Sequence, residues 1–447
     1  MKTLLVANRG EIAVRIVRSA HALGIRTVVV ASEADRDSLA ATVADEVVVI
    51  GPAAAPASYL DIDAVLGAAD ASGADAVHPG YGFLSENAEF ARRVIASGRV
   101  WVGPAPDSIE LMGDKARAIA AARTAHVPVL PGSDGVLGSD SDALAIARAI
   151  GYPLLVKASA GGGGRGIRLV REEEALLSSL ATARAEAAAS FGDDGVYLER
   201  FVDSARHVEV QILGDGRRAV HLGDRDCTMQ RRSQKVLEEA PAPELPGEVR
   251  ERIARAAVSL AESTRYIGAG TVEFLYDPVS REAFFIEMNT RLQVEHPITE
   301  AITGIDLVQH QLRIADGEPL GMEQQDIVFS GHAIECRINA EDPERGFFPS
   351  PGRIERMDWP AGARVETGYA SGSTVTPYYD SLVAKLIVHA PTRAEAITAM
   401  LDALDRTSID GIATTLPLHR RLLATDAFAE ATHTTTFVES LAVLETS

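Results

Sequence analysis

Cysteine is nearly absent from this chain: Cys227 and Cys336 are the two in 447 residues. They form no disulfide framework, which fits a reducing compartment. Cys227, beside Asp226, reads as a buried thiol rather than a reactive one. Positive charge is short as well, with 43 Lys and Arg against 63 Asp and Glu and a net charge of −20. That balance argues against nonspecific binding to nucleic acid or to an anionic membrane. It leaves room for a local basic pocket that takes an anionic substrate. No apolar run approaches the length of a membrane span. The start, Met1-Lys2-Thr3-Leu4-Leu5-Val6-Ala7, reads as a short strand and not as a signal peptide, so a cytoplasmic protein is expected. Two glycine motifs are missing. No Gly-Lys-Ser/Thr ending marks a P-loop, and the glycines after the first strand lack dinucleotide spacing. Tandem repeats and low-complexity linkers are absent too.

What is present is enough chain for several cores, at roughly 100 to 200 residues per domain. Residues 1–113 alternate strand-like and helical stretches, with strands near 4–7, 27–31, 46–50, 76–78 and 100–102 and a helix over 11–23. The alternation predicts a doubly wound parallel sheet. Asn8-Arg9-Gly10-Glu11 then falls where such sheets place a ligand. Residues 114–320 open with a helix carrying Lys115, continue with a helix over 142–150 and strands over 154–158 and 167–170, and then hold longer strands from 203 onward. Residues 330–440 read as a separate mixed α+β unit, with strands over 331–339 and 382–389 and a helix over 393–406.

The chemistry concentrates in a few runs. In Glu287-Met288-Asn289-Thr290-Arg291-Leu292-Gln293-Val294-Glu295 every odd position is polar or charged, and the even ones are apolar except Thr290. As a strand the run would put Glu287, Asn289, Arg291, Gln293 and Glu295 on one face. Glu273 sits among apolar residues in Thr271-Val272-Glu273-Phe274-Leu275, where a buried carboxylate needs a partner or a cation. Glu287 lies across the hairpin expected between these two runs. Two carboxylates and Asn289 are hard oxygen donors suited to Mg²⁺, and the lack of His and Cys there argues against zinc. His207, Glu209 and Gln211 share a face of a second alternating run and read as a site wall. Glu335, Arg337 and Asn339 share a face of a third. Arg231, Arg232 and Lys235 form a basic run on an acidic protein, which suggests local anion handling. Lys157 precedes Gly161-Gly162-Gly163-Gly164-Arg165-Gly166 between two strands, a pattern for a mobile loop that covers phosphates.

Taken together, these runs resemble the biotin carboxylase family of ATP-grasp enzymes over essentially the whole chain. The resemblance rests on Ala7-Asn8-Arg9-Gly10-Glu11-Ile12-Ala13, on the run His78 to Asn87, and on Lys157 with its glycine loop. Glu287 to Glu300, Gly331 to Pro343 and Pro377-Tyr378-Tyr379-Asp380-Ser381 complete it. It implies an N-terminal domain over 1–113, an ATP-grasp domain over 114–320 with a lid near 131–202, and a C-terminal domain over 330–440. The implied reaction makes carboxyphosphate from ATP and bicarbonate, then carboxylates biotin at N1′. By resemblance Lys115, Lys157, His207, Gln230 and Ser233 contact the nucleotide. Gly163 and Gly164 supply the lid contact, and Glu199, Arg200, Phe201 and Val202 the adenine side. Glu273 and Glu287 meet the nucleotide through Mg²⁺ or Mn²⁺, with Asn289 as a third metal ligand. Lys235, Arg291, Gln293 and the backbone of Val294 hold bicarbonate, Glu295 is its base, and Arg337 stabilises the biotin enolate. Two positions depart from the family: Ser233 replaces a usual histidine, and Arg200 a common lysine. No Met-Lys-Met attachment motif occurs, so biotin is expected on a carrier protein or domain, with a carboxyltransferase subunit downstream. A homodimer is implied, with Arg18 and Asp380 at its interface. The rival readings are another ATP-grasp carboxylate–amine ligase and an inert nucleotide-binding subunit.

Overall fold

Short, uniformly apolar runs in the N-terminal part form parallel strands buried on both faces. The structure, a computed structural model, describes residues 1–133, 135–159 and 167–444. The first sheet runs in the order Glu46–Gly51, Arg26–Ser32, Thr3–Val6, Ala76–His78, Val100–Trp101, with every neighbouring pair parallel. Leu4 and Val6 pack on one side against the helix Gly10–Ala22. Leu5, Val28 and Val30 pack on the other, against the helices Ile62–Ser72 and Ala88–Ala96. The strand order reverses between Thr3–Val6 and Ala76–His78. Asn8 to Gly10 occupies that crevice, and Asn8 Nδ2 ties it to the carbonyls of Pro79 and Tyr81, each at 2.7 Å.

Longer strands build a second, antiparallel sheet in the order Glu282–Asn289, Ile267–Asp277, Arg206–Asp215, Ala219–Arg231, Gln234–Ala240, His332–Asn339, Leu382–Ala390, Arg364–Thr367. The last three strands come from the region read in sequence as its own unit, and they continue the same ladder through Leu237↔Cys336 and Glu238↔Glu335. Between Ala219–Arg231 and Gln234–Ala240 the chain turns on Arg232 and Ser233, both at positive φ (48° and 62°). That is the two-residue hairpin turn whose twist matches the strands.

A three-stranded antiparallel sheet, Ile167–Val170, Leu154–Ala158, Val196–Arg200, packs with the helices Asp140–Ile150 and Leu176–Phe191 around its own small core of Leu154, Val156, Leu180 and Leu198. Gly163 and Gly164, expected at the lid contact, lie outside the described residues.

Candidate active site

The hairpin of Ile267–Asp277 with Glu282–Asn289 makes Glu273 and Glu287 direct cross-strand partners. A register shift next to Glu273 leaves Ile286 as a bulged residue, which re-aims the side chains on either side of it. Ile286 lines one cavity and Glu287 another. Asn289 Nδ2 donates to Glu273 Oε1 at 2.9 Å and lies 3.5 Å from Glu287 Oε1. The strand stops there. The expected single ribbon from 287 to 295 is therefore corrected: Arg291, Gln293 and Glu295 lie on a loop that turns into the helix His296–Thr303, with Glu295 at its N-cap. Pro297 in the first turn favours the helix start, and the Thr290 amide goes to the Glu86 carboxylate at 3.4 Å instead of to a ladder.

The loop nevertheless returns to the hairpin, because cations from other strands gather its carboxylate and amide. Lys235 Nζ donates to Glu209 Oε2 and Glu295 Oε1 at 2.6 Å each and to Glu273 Oε1 at 3.0 Å. Arg337 Nη2 holds the other oxygen of Glu295 at 2.8 Å, and its Nε donates to Glu238 Oε1 at 2.5 Å. His207 Nε2 lies 2.9 Å from Glu273 Oε2. Arg291 Nη2 donates to Asn289 Oδ1 at 2.8 Å and its Nε to Glu86 Oε2 at 2.9 Å. Beneath them Arg225 is fully buried and spends its guanidinium on Glu209, Gln211, Thr271, Thr299 and Gln293. Gln293 passes the order on, donating to Glu273 Oε1 at 2.8 Å.

Electrostatics follow from this packing. Burial alone would raise the Glu295 carboxyl, but Lys235, Arg337 and Arg225 hold it well below the usual carboxylate range. Burial likewise opposes ionisation of Glu273, and Lys235 and His207 overcome it. Glu287 goes the other way: partial desolvation and then the facing Glu273 charge push it up. Burial would lower His207, and Glu273 reverses the sign. The cleft above these groups has a volume of about 570 Å³ and reaches Tyr81, Ser233, Phe347 and Asp380.

A second cavity, about 200 Å³, opens behind Glu287 and is lined by Lys115, Lys157, Tyr197, Glu199, Phe285 and Ile286. Lys157 is ion-paired with Glu199 across adjacent strands, and Lys115 Nζ stands 6.0 Å from the centre of the Tyr197 ring. The segment expected to read an adenine edge is partly committed: the amide of Arg200 donates to Pro131 O at 2.8 Å and that of Phe201 to Pro153 O at 3.1 Å. Val202 is buried beside them.

The family models for the biotin carboxylase N-terminal domain, the carbamoyl-phosphate synthase L chain ATP-binding domain and the biotin carboxylase C-terminal domain match residues 1–109, 114–323 and 335–440. The chain is 52% identical to biotin carboxylase of Haemophilus influenzae, over 96% of each chain, and 48% identical to biotin carboxylase 1 of Bacillus subtilis, over 99% of each. The chain belongs to the biotin carboxylase family. Among solved structures, it superposes with a TM-score of 0.89 on the biotin carboxylase domain of 2-oxoglutarate carboxylase from Hydrogenobacter thermophilus, at 47% identity over 98% of this chain and 97% of that one. That neighbour is a dimer in complex with MgADP, ADP and bicarbonate.

On this biotin carboxylase fold the remaining sequence candidates fall as follows. Gln230 Nε2 donates to Cys227 O at 3.2 Å and sits 3.4 Å from His207 Nδ1. Ser233 is exposed at the hairpin tip on the cleft wall. Arg231 stacks over Phe347 at 3.7 Å, whereas Arg232 faces solvent and its amide donates to Glu439 at 2.6 Å. The Val294 carbonyl accepts from Lys385 Nζ at 2.7 Å. Several residues that order the site were not singled out from sequence for a role: Arg225, Glu238 and Lys385. For Lys385 a signal existed, a lone lysine inside the apolar strand 382–389. Arg225 lay hidden in a charge-dense run, and nothing local marks Glu238.

Proposed function

We propose that this chain carboxylates biotin at N1′ at the expense of ATP and bicarbonate, giving ADP and phosphate. The observation that carries the reading is Lys235 joined through Glu295 to Arg337, at the junction between the Glu273–Glu287 carboxylate pair and an open cleft. The structural neighbour that holds MgADP and bicarbonate supports it.

The donor set fits a magnesium ion. Two carboxylates face each other across a hairpin, the Glu287 carboxyl raised first by burial and then by the Glu273 charge, and Asn289 adds a neutral oxygen. Glu273, Glu287 and Asn289 would hold Mg²⁺, which would neutralise the phosphates of ATP when bound. Lys115 and Lys157 place positive charge in the adjoining nucleotide cavity. Lys235 and Arg291 bind bicarbonate, with Gln293 and the Val294 backbone beside them. Bicarbonate is a poor nucleophile until it loses its proton, and Glu295 is placed to take it. With Lys235 and Arg337 on its oxygens, which overcome the effect of burial and hold it ionised, Glu295 is a weak base. An anion on Lys235 draws that cation away and adds negative charge nearby, and both effects raise the basicity of Glu295. The dianion then attacks the γ-phosphorus and ADP leaves. The carboxyphosphate so formed breaks to CO₂ and phosphate, phosphate takes the N1′ proton of biotin, and the freed N1′ electron pair bonds to the CO₂ carbon, giving N1′-carboxybiotin. Arg337 stabilises the negative charge on the ureido oxygen.

The finer assignments belong to the same proposal. They are a 1–113, 114–320 and 330–440 domain division, Mn²⁺ in place of Mg²⁺, and biotin delivered on a carrier to a carboxyltransferase partner. A cytoplasmic homodimer with Arg18 and Asp380 at the contact completes them. No helix among the described residues is long and apolar enough to cross a membrane. The test is ATP hydrolysis by folded protein in Mg²⁺. The expected result is dependence on bicarbonate and stimulation by free biotin. Hydrolysis that requires an amine and ignores biotin, or no turnover at all, overturns the reading.

A further inference from the structure

Beside Arg337, and near enough to Glu295 to feel its charge, lies an acid pair that the reaction above does not use. Glu238 and Glu335 are direct cross-strand partners, and both are fully buried. Glu238 gives one oxygen to Arg337. Its other oxygen and both oxygens of Glu335 have no hydrogen-bond partner among the described residues. The surrounding charges are already engaged. Lys385, from the next strand, donates to Val294 O and pairs with Glu11 at 3.1 Å. Lys235, on the strand of Glu238, serves Glu209, Glu273 and Glu295. His296, at the start of the neighbouring helix, is held neutral, first by burial and then by the Lys385, Arg15 and Arg364 charges. The next residue along the strand, Glu239, belongs to a separate group with Arg393 and His332. Among the described residues, three of the five buried carboxylate oxygens without a hydrogen-bond partner fall on this one pair.

Two ionised carboxylates facing each other in a fully buried layer would be very costly. One proton between them removes the repulsion and turns an orphaned oxygen into a donor. We propose that Glu238 and Glu335 share one proton and act as positioning residues for Arg337, presenting a single negative charge beside its guanidinium so that the group stays turned toward Glu295 and the cleft. Burial pushes both carboxyls up, Glu238 to about 7, in keeping with a proton that is held near neutrality and given up in alkali. Once it is lost, a second negative charge draws Arg337 back from the cleft. This rests on the reading of Arg337 as the cation for biotin.

The experiment has two arms. The first is the infrared carbonyl band of a protonated carboxylic acid, recorded near neutral pH for the full chain and for Glu335→Gln. The band is expected to weaken in the variant by the contribution of one acid. An unchanged band overturns the shared proton. The second is biotin-stimulated ATP hydrolysis against pH. The wild type is expected to lose stimulation on the alkaline side, and Glu335→Gln, which cannot ionise, to show that limb displaced upward by about one pH unit or more. A purely structural role would lower the profile without moving it, and an unmoved limb overturns the proposal. Glu238→Gln, which removes the charge that Arg337 leans on, is expected to cut biotin-stimulated turnover about tenfold or more with the KM for ATP unchanged. Failure of the functional reading would look different: no biotin stimulation in any protein, with the infrared difference still present.

Discussion

Glu295 shows how one side chain can be made inert or reactive by what its neighbours are bound to. With Lys235 and Arg337 both on its oxygens it is held ionised and weakly basic. In the reaction proposed above, bicarbonate competes for the same cations, so that its binding would itself raise the basicity of Glu295. Glu295→Gln keeps the shape and loses the proton acceptor. Bicarbonate-dependent ATP turnover should drop by roughly 10²- to 10⁴-fold, while nucleotide binding by calorimetry stays within error; turnover near wild type would remove Glu295 as the base. Glu287 carries the opposite shift and a prediction about metal. A carboxyl raised by partial burial and by Glu273 takes up its proton at higher pH than usual, and the protonated form cannot ligate. Mg²⁺ affinity should therefore weaken as pH falls toward that raised value, and Glu287→Gln should both weaken and flatten the dependence. Titration calorimetry at several pH values measures both.

The strand Ala219–Arg231 divides the labour of a single element between its two faces. Arg225 points under the cleft and orders Glu209 and Gln293. Asp226, its neighbour, points the other way and pairs with Arg206 at 2.6 Å, with the two side chains 2% and 4% exposed. Burial would raise Asp226, but Arg206 and then His433 hold it far below the ordinary carboxylate range. A depressed carboxyl stabilises the fold above its unfolded pKa, and that stabilisation is lost as pH falls toward the folded value. Asp226→Asn should thus cost about 3–5 kcal/mol at neutral pH. The gap between variant and wild type should narrow once pH drops below roughly 4, where the unfolded carboxyl protonates. Urea unfolding at neutral and acid pH reads both, and a gap that stays constant would show that the pair contributes through packing rather than charge.

At the scale of the molecule, the cleft is a meeting of distant stretches. Tyr81 and Glu86 come from the parallel-sheet region, the hairpin and Lys235 from the middle, and Arg337 and Lys385 from the strands that extend the long sheet. Lys385 is the tie between them: fully buried, it joins Glu11 of the first helix to the Val294 carbonyl of the cleft loop. Lys385→Met should unpair Glu11, release the loop and cost roughly 3–5 kcal/mol of stability. The KM for bicarbonate should rise with little change in that for ATP. An unchanged KM for bicarbonate would show that the loop holds its shape without the tie.

Composition and local pattern by themselves determined much of this protein. Short apolar runs specified the parallel strands almost to the residue, as at 46–50 and 76–78 against Glu46–Gly51 and Ala76–His78. Period-two alternation placed His207 with Glu209, and Glu273 opposite Glu287, because side chains on a pleated strand have no other choice of face. The same rule overreached past Asn289, where the chain turns into a helix that alternation cannot foretell. Only the tertiary structure decided that Arg291, Gln293 and Glu295 still reach the hairpin: Arg225, Lys235 and Arg337, cations supplied by other strands, gather Gln293 and Glu295, and Glu86 with Asn289 holds Arg291. It alone placed Glu238 beside Glu335, a pairing across strands separated by nearly a hundred residues of chain. Local sequence sets which face a side chain takes; charge, burial and register between remote strands set what it meets there.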